Sequence, residues 1–182
     1  RIDCEDLDCY ENDHCLCMEA NCHEQPDREC KVRDIAKRRG ADIEWIKAIR
    51  GPDKIYVALK LTQAPNPSQV IYGIHIWNDE WEQGYAINYR KGELMFWTDE
   101  GEEIDTSGME IAVGSIVELA VPLSKVGHSN HFWVDGWTKD ADTWVDLDNL
   151  ERGVGIESIS FEEIEVDGDP SDWSGIKGSR DL

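Results

Sequence analysis

Short-spaced carboxylates are the most conspicuous chemistry in this chain. Asp167, Asp169 and Asp172 share one turn, Asp140, Asp142, Asp146 and Asp148 a second, and Asp99, Glu100, Glu102 and Glu103 a third. Calcium takes roughly six to eight oxygen ligands, so acids crowded into turns are the pattern expected to hold it, although none of the three completes an EF-hand loop. Calcium is therefore the expected metal. The 39 acidic residues face only 18 basic ones, a formal charge of −21. Such a chain repels itself when compact, and divalent cations would relieve the repulsion. The same balance argues against nucleic acid or an anionic membrane surface as partner, since phosphate recognition needs a positive field.

Cysteine is the second chemical signal. Cys4, Cys9, Cys15, Cys17, Cys22 and Cys30 account for all six, and none follows. An even number at close spacing, in an acidic stretch too poor in large apolar residues to order itself by burial, reads as a disulfide-stapled module; its pairing stays open. Two other chemistries compete. Cys17 to His23 ends like a c-type haem attachment site, but four residues separate Cys17 from Cys22 where the usual motif has two. Zinc on Cys15, Cys17, Cys22 and either His23 or His14 suits the ligand types but lacks the paired short spacings. Disulfides place the protein outside a reducing cytosol, at an extracellular or cell-surface location. The start at Arg1, without Met, fits removal of a signal peptide or a partial chain.

The eight tryptophans stand at 45, 77, 81, 97, 133, 137, 144 and 173. Flat indole faces stack on sugar rings, so Trp77 with Trp81, or Trp137 with Trp144, is a candidate carbohydrate surface. The competing reading fills the core or a subunit contact with indoles, and Trp97 and Trp133 read most like core. No enzyme signature emerges. Ser129-Asn130-His131 lies near acids, but no nucleophile elbow, phosphate loop or two-histidine zinc motif accompanies it.

These residues must be positioned by β-structure. Short runs rich in Val, Ile, Tyr, Phe and Trp cover 43–49, 54–62, 69–78, 84–90, 93–98, 111–113, 116–122, 131–137 and 157–166, separated by turn formers such as Gly51-Pro52-Asp53 and Lys91-Gly92. Ile55, Val57, Leu59 and Leu61 alternate with Tyr56, Ala58 and Lys60, as a half-buried strand requires. Residues 124–129 read as a loop. The fold class is all-β, an antiparallel sandwich of jelly-roll or immunoglobulin-like kind. Residues 1–39 form the cysteine-rich module, ending in one short helix where Val32, Ile35 and Ala36 share a face among basic residues and Gly40 stops it. Residues 40–166 form the sandwich and 167–182 a C-terminal tail. No apolar run is long enough for a membrane span.

Asp167-Gly168-Asp169-Pro170-Ser171-Asp172-Trp173, the Asp42-Ile43-Glu44-Trp45-Ile46 stretch, the strand from Asp53 to Leu61 and the strand end Val121-Pro122-Leu123 together resemble the DOMON-like and family-nine carbohydrate-binding-module β-sandwiches. The likeness covers roughly residues 40–176. In that family the Asp-Gly-Asp phrase comes first; here it comes last, so the order is permuted, with the cysteine-rich stretch as an insertion. The resemblance implies a sandwich with calcium and sugar tendencies. A phrase that opens a domain but closes this chain suggests interlocking copies, since an extended tail can satisfy the open edge of a neighbouring sheet. Ile164, Val166, Trp173 and Ile176 are the expected anchors. The leading expectation is a secreted, noncatalytic subunit polymerising head to tail into a filament or surface layer. A carbohydrate-binding or adhesion module of a larger surface protein is the first alternative, and a c-type haem electron-transfer protein the second.

Overall fold

The computed structural model describes residues 40–78, 83–129, 131–150, 153–156 and 164–180. All six cysteines, the short basic helix expected before Gly40, and Trp81 lie outside the described residues. Among those described, two antiparallel sheets face one another. The first runs β11-β1-β2-β7-β6, from β1 (Ile43–Arg50), β2 (Lys54–Leu61), β6 (Glu110–Val113), β7 (Val117–Pro122) and β11 (Gly178–Arg180). The second runs β10-β8-β3-β4-β5, from β3 (Val70–Asn78), β4 (Gly84–Arg90), β5 (Glu93–Thr98), β8 (Phe132–Asp140) and β10 (Val154–Ile156). Strand β9 (Asp146–Asn149) shares the outer edge of β8 with β10. No helix among the described residues is long and apolar enough to cross a membrane.

Alternation decides which side chains meet between the sheets. Ile55, Val57, Leu59 and Leu61 of β2 are fully buried against Val70, Tyr72, Ile74 and Ile76 of β3, with Val117, Leu119 and Val121 of β7 beside them. β4 and β5 add Tyr85, Ile87 and Phe96 to the same core. Turn chemistry sets the register of the β4–β5 hairpin. Lys91 and Gly92 both have positive φ, 50° and 90°, as a tight two-residue hairpin turn requires.

Several boundaries differ from the sequence reading. Residues 123–126 form a single-turn helix, α1 (Leu123–Val126), because Leu123 and Val126 both turn into the core, and Gly127 at φ 80° ends it. β8 continues three residues past Trp137, paired with β3 throughout. β9 is built from Asp-Leu-Asp-Asn, which reads as an acidic turn, and β11 from Gly-Ser-Arg, which carries no apolar signal. Ile164, Glu165 and Val166 are irregular backbone rather than the end of a strand; 157–163 lies outside the described residues.

Tyr72 gives the core a measurable pH signature. Its hydroxyl donates to Gly40 O and accepts from Asn66 N, and burial pushes the phenol up from its ordinary value. A raised folded value means the unfolded chain ionises first. Stability from this group is complete below about pH 10 and falls as pH rises beyond it. In denaturant titrations, the stability gap between wild type and Tyr72→Phe should narrow from pH 9 towards about pH 11; a constant gap would mean the phenol does not drive the alkaline loss.

Candidate functional site: an indole-tiled sheet face

The outward face of the second sheet carries an unusual cross-strand pattern. Core-facing residues of β3 and β8 are Val70, Tyr72, Ile74, Ile76, Phe132 and Val134, so the intervening positions point away from the core. There Trp133 stands opposite Gly155, Trp77 opposite Gly84, Trp137 opposite Gly73 and Trp97 opposite Ala86. Four outward tryptophans thus each face a glycine or alanine on a neighbouring strand.

The glycines are required by packing. A Cβ on Gly73 would fall inside the Trp137 ring and one on Gly84 inside the Trp77 ring, while Gly153 meets Trp133 Nε1 at 2.6 Å in the same sense. Each of these indoles lies down over the glycine backbone instead of standing away from the sheet, the arrangement by which an aromatic ring covers a strand glycine. Trp77, Trp97 and Trp133 are half-buried. Across four strands one row reads Gly155, Trp133, Trp77, Gly84, with the two indoles leaning in opposite directions.

Trp137 is the floor of the face rather than its surface, only 9% exposed. It packs with Ile71 and Ala141, and its Nε1–H donates to His75 Nε2 at 3.2 Å. The acceptor role of Nε2 places the imidazole proton on Nδ1, which donates to Asp135 Oδ1 at 3.0 Å. His75 also lies edge-on to Trp77, with ring centroids 6.4 Å apart. Lys139 Nζ sits 5.0 Å from the Trp137 ring centroid, and the Arg90 guanidinium 5.2 Å from that of Trp144. Trp144 has φ 62°, a left-handed conformation uncommon for a bulky residue. Its N–H donates to Asp140 O, and Arg90 Nε donates to Ala141 O in the same turn.

Two further polar features belong to the same sheet. Asn88, opposite Gly73 and Met95, is 6% exposed, and its Oδ1 is buried without a hydrogen-bond partner among the described residues. A buried amide oxygen of this kind is uncommon in folded proteins. A polar cavity of about 240 Å³, lined by Asn78, Gln83, Thr98, Asp99, Glu100 and Glu102, lies at the ends of β3 and β5.

Two of the acidic clusters make hydrogen bonds and ion pairs within the fold. Asp140 Oδ1 accepts from Asp142 N, Thr143 N and Thr143 Oγ1; Asp142 pairs with Lys91, Asp146 with Lys139, and Asp148 Oδ2 accepts from Ile43 N. In the tail, Asp167 accepts from Asp169 N, Asp169 from Ser171 N and Asp172 from Glu165 N. These are turn-forming and capping bonds. Among the described residues no three His, Cys, Asp or Glu side chains converge on one point.

The tail itself is seated on its own chain. It crosses the outer face of the first sheet, where Trp173 is 1% exposed against Ile49, Ala58, Ile116 and Ile164, with Ile176 packed alongside. Val166 is only half-buried. Beneath the tail lies Glu118 of β7, fully buried. It accepts from Trp173 Nε1 at 2.5 Å, from Asp167 N at 3.0 Å and from Gly168 N. Gly168, at φ 82°, approaches Gly114 too closely for a side chain on either. β11 then pairs with β1, Arg180 opposite Trp45.

Relative to expectation, Trp97 and Trp133 are corrected from core to the outward face: Phe96, Phe132 and Val134 take the inward positions. Trp77 lies on the outward face, its expected partner Trp81 lies outside the described residues, and Trp137 supports the face from below. His75, Asn88 and the small residues opposite the indoles carry no motif and are recognisable only once strand register is known. Compared with known proteins, the chain matches no family model, no curated protein and no solved structure.

Proposed function

We propose that this protein is a noncatalytic, extracellular glycan-binding module whose outward second-sheet face stacks against sugar rings. The observation carrying this reading is the register of Trp133, Trp77 and Trp97 with Gly155, Gly84 and Ala86. These three indoles stand outside the filled core, half-buried on the outward face, and indole rings at a protein surface are well suited to stack on sugar rings. Asp135, an outward position on β8, supplies a carboxylate beside the rings that can accept from sugar hydroxyls. Both ring nitrogens of His75 are engaged, by Asp135 and Trp137, which suits orientation of the face rather than proton transfer.

Retention of the purified chain on immobilised or insoluble polysaccharides tests the proposal, with Trp77→Ala and Trp133→Ala beside wild type. Each indole is expected to contribute about fivefold to tenfold in Kd. Wild-type protein retained by no glycan, or variants retained equally well, would remove the reading.

A second reading has its own support. The tail contributes a short edge strand and a deep indole plug, the two elements that strand exchange between copies would use to build a head-to-tail homopolymer. Negative-stain electron microscopy of the full chain, with and without calcium, beside a chain ending at Glu163 decides it. Filaments lost on truncation favour exchange; single-domain particles throughout leave the tail as a strap within one molecule.

A further inference from the structure

We infer that the ligand of this face is the flank of an extended, uncharged polysaccharide, engaged by several rings at once, rather than a chain end or a single sugar. The inference rests on the proposed glycan binding and concerns which kind of glycan. Indoles lie on strands β8, β3 and β5, and the sheet from β10 to β5 measures about 19 Å across at the usual strand spacing. Trp133 and Trp77 are in direct register yet lean away from each other, each over its outboard glycine. Their stacking areas are thereby spread across the strands instead of converging.

A site for one ring brings aromatic groups together around it; here they are laid out side by side. Trp97 extends the series to strand β5. A linear chain running across the strands would meet these features in succession. Uncharged character follows from the surroundings. Asp135 stands on the face and the chain carries a formal charge of −21, which disfavours uronate or sulfate groups. Lys139 and Asp146 pair with one another, as do Lys91 and Asp142, so these cations are already neutralised.

The test is isothermal titration calorimetry of the full chain with neutral β-linked oligosaccharides of glucose, xylose and N-acetylglucosamine, each from disaccharide to hexasaccharide. Polygalacturonate serves as the anionic arm. The expected result is at least about tenfold tighter binding from disaccharide to hexasaccharide in one neutral series, with polygalacturonate not bound. A disaccharide binding as tightly as its hexasaccharide would overturn the extended-flank inference while leaving glycan binding intact. Preference for polygalacturonate would overturn the uncharged assignment in the same way. No heat and no retention with any glycan would end both this inference and the proposed function it rests on.

Discussion

Replacing Trp173 by alanine should destabilise the domain by about 3–5 kcal/mol, the range for removing a fully buried tryptophan. The side chain is 1% exposed and fills a cluster of Ile49, Ala58, Ile116 and Ile164 on the outer surface of the first sheet. Its loss leaves a cavity and also takes one of three donors from the buried Glu118 carboxylate. A carboxylate out of water tolerates few missing partners. Trp173→Phe separates the two contributions, keeping most of the apolar volume while losing the N–H. It should cost roughly 1–3 kcal/mol from the hydrogen bond to a charged group. Urea denaturation of the three proteins measures both. If either variant falls within about 0.5 kcal/mol of wild type, as ordinary surface changes do, the tail does not hold the first sheet through Trp173 and Glu118.

Gly73→Ala should be the second large effect and should move stability and ligand binding together. At an ordinary strand position, exchanging glycine for alanine gains a few tenths of a kcal/mol or more by restricting the unfolded chain. Here the sign reverses, because the added methyl occupies the space of the Trp137 ring. Overpacking of this kind costs about 1–3 kcal/mol. A displaced Trp137 also gives up its bond to His75 Nε2, which in turn orients the imidazole beside Trp77. Gly155→Ala is the matched control: its methyl would meet Trp133 at 3.5 Å, an ordinary contact, so little change is expected. Thermal melts and polysaccharide retention read both variants. Equal melting temperatures for the two would show that Trp137 is not seated on Gly73.

How much of the fold was legible in the sequence depends on how local each signal is. The alternation of Ile55, Val57, Leu59 and Leu61 is a property of one strand, and it named the buried face correctly. Which side of the second sheet its tryptophans occupy is a property of pairings between distant strands: Trp77 meets Trp133, and Gly73 meets Trp137. Trp97 and Trp133 have the size and apolarity of core residues, and only the inward placement of Phe96, Phe132 and Val134 shows that the core is already filled. The acid-rich turns are ambiguous in sequence for a related reason. Asp140, Asp167 and Asp169 are abundant and closely spaced, as calcium ligands would be, yet each satisfies backbone N–H groups of its own turn. Composition alone does not distinguish these uses. The Asp-Gly-Asp phrase was legible as an unusual ending, but that Glu118, about fifty residues away in sequence, receives it was not.

The tiling of indoles over small residues also bears on the entropy of recognition. A freely rotating aromatic side chain gives up about 0.5–1.5 kcal/mol of conformational freedom when a ligand immobilises it. Trp77 cannot settle deeper without meeting the Gly84 backbone, and Trp133 is confined by Gly153 and Gly155. Rings pinned in this way have surrendered their rotamers during folding, so the cost is met before any ligand arrives.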